Sequence, residues 1–125
     1  KDFDISFAKG LSLEDGSATI TDFTAYLISQ GIEYSNGSNE KPIKYLLCGG
    51  GRKNSFLTQS IKNYLSNKNN ISIELIDKYN FNGDYIESKA FGYLAIRSFL
   101  NLPISYPKTT GCEMPTVGGK LVNNF

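Results

Sequence analysis

Residues 45–54 read YLLCGGGRKN. An apolar, β-prone run breaks into three consecutive glycines and then, from Asn54, into a segment of helical periodicity. This is the pattern of a strand turning through a corner into a helix, with bare backbone at the corner that a ligand can approach closely. The corner suggests a nucleotide site. A tight turn that binds nothing stays open as the alternative at this point.

Working outward, Ile43–Cys48 reads as a short buried strand. After the glycines, NSFLTQSIKNYLSN places Phe56, Leu57, Ile61, Tyr64 and Leu65 on one helical face, with Asn54 at the N-cap, so a helix is predicted over 54–66. The turn NKNN then leads into a second β-branched strand, Ile71–Ile76. Strand, helix and strand within so few residues predict a right-handed crossover and a parallel pair, which needs cover on both faces. Upstream, Ile20, Phe23, Leu27 and Ile28 lie at helical spacing, predicting a helix over 17–30 with Ser17 or Asp15 as cap and Gly31 as stop. Residues 31–42 read as a loop, and FDISFA ahead of the helix is too short to be a strand.

Downstream, Gly83 supports a turn and Asp84 is placed to cap a third helix over 84–100, with Ile86, Ala90, Phe91, Leu94, Ala95 and Phe99 available to pack. Beyond Leu102 the pattern dissolves into a segment with three prolines and several glycines, holding at most a short edge strand near Val117. The predicted fold class is therefore α/β, ordered α-β-α-β-α around a short parallel strand pair. Two strands make a thin sheet, so the chain reads as the end of a larger α/β domain. Its open strand edge invites pairing, for example as a homodimer.

The chain has 125 residues and a mass of 13.8 kDa, which fits one domain, 1–125. A formal net charge of +1 with 20% charged residues supplies no strong field for nucleic acid or membrane as partner. Histidine is absent, and Cys48 and Cys112 are far apart, which excludes the usual zinc sites and any His-dependent triad within this chain. Both cysteines are expected to be reduced thiols. No apolar run approaches the ~20 residues of a membrane span. KDFDISFAKG is too polar for a signal peptide, and its opening Lys implies that the start is a cut.

Four stretches carry a resemblance. SATITDFTAYLI is similar to a helix of the form A-T-(L/I)-x-x-(F/L)-T-A. LLCGGGRKN is similar to V-C-G-G-G-x-x-N, and GDYIESKAFGYLAIRSFLNLP to G-D-x-x-E-(A/S)-x-A-F-x-x-L-A-x-R-x-x-x-x-L-P. YPKTTGCEMPTVGGKL is similar to a closing P-x-x-T-G-x-x-x-P-x-x-x-G-K-(I/L). In this order they resemble the C-terminal part of bacterial anhydro-N-acetylmuramic acid kinases, within the actin-like (ribonuclease H-like), sugar-kinase and chaperone ATPase superfamily. GGGxxN alone is weak, whereas E-x-x-A-F-x-x-L-A-x-R thirty-odd residues later makes the combination specific.

The resemblance implies a C-terminal lobe fragment of a two-lobed cytoplasmic kinase. The complete enzyme would use ATP, Mg2+ and water to open 1,6-anhydro-N-acetylmuramic acid and deliver N-acetylmuramic acid 6-phosphate in peptidoglycan recycling. It places Gly49, Gly50, Gly51 and Asn54 on the nucleotide, although Asn54 reads equally as a plain N-cap. It places Glu87 on the sugar, where periodicity alone gives a solvated residue of a first helical turn. Asp84 reads as a helix cap, and Arg97 could pair with a helix C-terminus. The family's glycine-rich phosphate loop and its water-activating aspartate lie in the N-terminal lobe. Neither stretch occurs in these residues, so no catalytic residue and no metal ligand is assigned and the fragment is expected to be inactive alone. Two other readings stay open: a degenerate remnant serving as a self-associating interaction domain, and a dinucleotide-binding unit. The second is disfavoured because GGGRKN lacks G-x-G-x-x-G and Asp77 stands at its strand's end only as LIDK.

Overall fold

The structure, a computed structural model, describes residues 4–122. The first and last three residues, which the single-domain reading of 1–125 includes, lie outside the described residues. The chain divides into two compact units, Lys1–Gly83 and Asp84–Phe125.

The first unit holds helix α1 (Leu13–Asn36), strand β1 (Ile43–Leu47), helix α2 (Ser55–Tyr64) and strand β2 (Ile71–Leu75). The strands pair in parallel, with Ile43 opposite Ile71 and Leu47 opposite Leu75, as the strand-helix-strand pattern predicts. The core lies between one face of this pair and both helices. Ala25, Ile32, Ile61 and Leu65 are buried there, with Tyr45, Leu57, Ile71 and Ile73 packed against them. Alternation along β1 sends Lys44 and Leu46 to the opposite face, where Lys44 pairs with Glu74 at 3.2 Å and meets the Tyr79 hydroxyl. Within this unit the helices therefore cover one face of the sheet, where cover on both was predicted.

Helix α1 runs well beyond the predicted 17–30. Its cap is Ser12, whose hydroxyl accepts the Asp15 N–H at 3.0 Å and donates to the Asp15 carboxylate at 2.9 Å. This is a serine N-cap, with the Asp15 carboxylate in the first turn also favoured by the helix dipole. Gly31 does not stop the helix. Its conformational cost, roughly 0.5–1 kcal/mol, is offset by burial of Ile32 one residue later, and the chain turns only at Gly37 (φ 54). Tyr64 adds a tie between the helices, donating to Asp22 at 2.7 Å and packing edge-on against Tyr26.

The second unit holds α3 (Ile86–Phe99) and a single turn, α4 (Pro107–Thr110). The N-cap of α3 falls on Tyr85 with no side-chain cap hydrogen bond, so Asp84 is not the cap. Arg97 does not simply serve the helix C-terminus: it donates to the Pro103 carbonyl at 2.7 Å and the Tyr106 hydroxyl at 2.7 Å, and stacks on Tyr93. Ser98 donates to the Gly118 carbonyl, and a Cβ on Gly119 (φ +87) would meet the Ser98 hydroxyl. These contacts bring the closing GGK stretch back onto α3. The edge strand predicted near Val117 is a single antiparallel bridge, Ser105 to Thr116. No residue of α3 is fully buried, and Phe91 and Phe99 are 65% and 68% exposed. Among the described residues no helix is long and apolar enough to cross a membrane.

Candidate functional site

Strand β1 ends at Leu47, and the corner that follows is a 3-10 turn, Gly50–Lys53, leading directly into α2. The corner thus sits at the carboxyl end of a parallel strand, the edge at which open α/β sheets receive ligands. Asn54 closes it: its side-chain oxygen accepts the Leu57 N–H at 3.0 Å, which makes it the N-cap of α2.

The three glycines differ. Gly49 has φ 76 and ψ 179, a conformation reserved almost entirely for glycine. Gly51 would place a Cβ 3.6 Å from Leu57, an ordinary contact, and a Cβ on Gly50 would meet nothing within 4 Å; neither residue has positive φ. The turn itself therefore explains only Gly49. Gly49→Ala is expected to cost of order 1–3 kcal/mol of stability. Gly50→Ala is expected to be neutral or stabilising by up to ~1 kcal/mol, because it restricts only the unfolded chain. Urea unfolding of the two variants checks both.

Arg52 locks the corner from within. Its side chain is only 7% exposed. The guanidinium donates through Nε to Asp77 Oδ2 at 2.7 Å and through a terminal nitrogen to Asp77 Oδ1 at 3.0 Å, and its other terminal nitrogen reaches the Gly49 carbonyl at 2.9 Å. Asp77 also accepts the Gly83 N–H at 3.3 Å, and the Gly83 carbonyl accepts the Gly49 N–H at 3.0 Å. Gly83 is buried, and any Cβ there would overlap the Arg52 side chain, so its glycine makes room for the guanidinium as well as the turn. Arg52 lies within the glycine motif, and Asp77 follows β2 by two residues. The pair forms the bidentate fork by which an arginine grips a carboxylate, and no local pattern in the sequence joins the two residues.

The Arg52 guanidinium, with the Gly83 amide, lowers the Asp77 carboxyl to about 2 from its ordinary 3.8. A folded-state value below the unfolded one means that this ion pair contributes fully above about pH 4 and is lost as the pH falls through about 2. Thermal melts across that range are expected to show an acid-induced drop that is smaller in Asp77→Asn.

Glu87 belongs to the second unit, exposed in the first turn of α3. Gly49, Gly50, Gly51 and Asn54 are brought together in the first unit, and Glu87 belongs to the second. Cys48 is exposed and Cys112 partly buried, both as free thiols. Among the described residues no group of three or more His, Cys, Asp or Glu is placed to hold a metal ion. A cavity of about 110 Å3 beside the corner, walled by Ile28, Leu47, Leu57 and Ile61, is apolar and too small for a nucleoside. A roomier polar concavity of about 550 Å3, lined by Asn36, Asn39, Lys68 and Asn70 among others, borders Ile71 where β2 begins. That is the wrong end of a parallel sheet for a ligand.

The fold and corner define an α/β unit with a glycine-lined edge where parallel strands end. The profile of anhydro-N-acetylmuramic acid kinase matches residues 3–124. The chain is 52% identical to the anhydro-N-acetylmuramic acid kinase of Pelagibacter ubique (strain HTCC1062) over 126 residues, covering all of this chain and 33% of that protein. It is 38% identical to the Zymomonas mobilis enzyme of the same name and 37% identical to that of Caulobacter vibrioides. These alignments cover 96% and 97% of this chain and 31% of each relative. The chain belongs to the anhydro-N-acetylmuramic acid kinase family and spans about a third of the length of the curated relatives it matches.

Proposed function

We propose that this chain is the nucleotide-side, C-terminal portion of a cytoplasmic ATP-dependent kinase of the actin-like class. The complete enzyme converts 1,6-anhydro-N-acetylmuramic acid to N-acetylmuramic acid 6-phosphate in peptidoglycan recycling, and this portion is inactive alone. The observation that carries the nucleotide assignment is Gly50. Neither its backbone nor its neighbours require a glycine, so the missing side chain serves the space outside the chain, where a flat base or ribose would lie against the backbone.

Gly49 fixes the direction of the corner, and Gly51 keeps its inner side against Leu57. With its oxygen held by the Leu57 amide, Asn54 presents its amide nitrogen as the group that would donate to the nucleotide. Glu87, exposed on α3, is the residue proposed to contact the sugar. ATP supplies the phosphoryl group. In this reading Mg2+ is held mainly by the phosphates, which supply most of the oxygen ligands such a metal takes in a kinase. The apolar side chains that α3 leaves exposed, Phe91 and Phe99 among them, are the surface on which the remainder of the kinase would pack.

The test joins this chain to the N-terminal two thirds of the Pelagibacter ubique relative and measures ATP affinity with and without Gly50→Val. The exposed face of α3 also suits a second reading, a remnant that self-associates. Sedimentation of the chain alone separates the two, since a stable dimer would favour the remnant.

A further inference from the structure

We propose that Arg52 is a positioning residue for the nucleotide: by tying the Gly49 carbonyl to Asp77, it holds the Gly49–Gly51 backbone in the shape that receives the ligand. This rests on the nucleotide reading of the corner given above.

The geometry makes the guanidinium a three-way brace. One terminal nitrogen takes the Gly49 carbonyl, while Nε and the other terminal nitrogen take both Asp77 oxygens. Asp77 is itself held by the Gly83 amide, and Gly83 returns its carbonyl to the Gly49 N–H. Both polar backbone groups of Gly49 are thus fixed by a circuit that runs from the end of β1 to the segment after β2 and back. A glycine carrying no side chain has no steric means of holding φ 76. The bonds to its N–H and carbonyl supply that restraint.

An ion pair needed only for stability would require the carboxylate and one donor edge of the arginine. A further donor, on the other terminal nitrogen, is directed to the backbone of the one corner residue whose conformation is unusual. The Arg52 side chain is almost completely enclosed while Asp77 is 44% exposed. The cation is therefore sited for its reach to the corner, and the carboxylate bridges it to solvent. Lysine could keep the charge but not the fork, since a single ammonium cannot span both Asp77 oxygens and the Gly49 carbonyl in this planar arrangement.

The experiment uses the joined two-lobed protein and compares Arg52→Lys, Asp77→Asn and Gly50→Val for KM of ATP, KM of the anhydro-sugar, and Tm. The expected result is a rise of about tenfold or more in the KM for ATP in Arg52→Lys. Asp77→Asn, which keeps the Gly49 bond, is expected to give a smaller rise, and the sugar KM should stay within about twofold in both. A merely structural ion pair would lower Tm in both variants and move the two KM values together or not at all. An unchanged KM for ATP in Arg52→Lys, with Gly50→Val still impaired, overturns the role of Arg52 and leaves the nucleotide reading intact. Unchanged ATP binding in Gly50→Val overturns the nucleotide reading itself. If Arg52→Lys does not fold, amide exchange in Asp77→Asn decides: faster exchange at Gly49 with ATP affinity preserved also overturns the proposal.

Discussion

Gly50→Val is expected to weaken ATP binding in the joined two-lobed kinase by about tenfold or more, with Tm within a few degrees of the parent. The dissociation of the two effects follows from the corner's geometry. Gly50 has no positive φ, and a Cβ built there meets nothing within 4 Å, so a side chain can start from this position without left-handed backbone strain and without a contact at its first carbon. The branched carbons of valine occupy the outer side of the corner, the volume assigned to the base and ribose, and displace the ligand from van der Waals contact with the backbone. The KM for the sugar should hold, because the residue proposed to contact the sugar is Glu87 and not a residue of the glycine corner. Gly49→Val is the contrasting control, because its φ of 76 makes any side chain costly: it should lower stability first and ATP affinity as a consequence. Calorimetric ATP titration beside thermal melts separates the two. A Gly50→Val protein that binds ATP normally removes the main support for the nucleotide assignment.

The parallel pair and the two helices packed on it were legible because each is written in local pattern. Short apolar runs at 43–48 and 71–76 flank a segment whose apolar residues repeat at helical spacing, and Asn54 caps that helix as its position predicts. The ends of α1 were less legible. Gly31 carries a local stop signal that burial of Ile32 overrides, and the true cap, Ser12, lies five residues ahead of Ser17. Asp84 met the same fate at α3, where composition suggested a cap and the backbone enters the helix one residue later.

At the site, the glycines were visible but their division of labour was not. Only backbone angles distinguish Gly49, which the turn needs, from Gly50, which it does not. The Arg52–Asp77 brace was hidden because its partners are separated by a helix and a strand, and sequence spacing carries no record of a side chain crossing between strand ends. Periodicity read the apolar residues of α3 as available to pack. Phe91 and Phe99 stand in solvent, since helical spacing states which residues share a face but not what covers it.

The chain alone is expected to show no phosphorylation of 1,6-anhydro-N-acetylmuramic acid, with turnover at least about a hundredfold below a full-length relative. Phosphoryl transfer requires donors around the γ-phosphate, a metal to neutralise developing charge, and a group that orients the attacking water. In the proposed reading the first unit contributes one wall, a glycine corner and an N-cap amide, and the second unit contributes one exposed carboxylate. Neither the phosphate-loop stretch nor the aspartate stretch of the family that the chain resembles occurs in the sequence. A single wall also binds weakly, since most of a nucleotide's surface stays in water and the entropy lost on association is offset by few contacts. Coupled ADP-release and sugar-phosphate assays on the purified chain, run beside the joined two-lobed protein, make the comparison. Activity in the chain alone approaching that of the joined protein would mean that the reacting groups lie within these residues, and would require a base and phosphate ligands other than those of the corner.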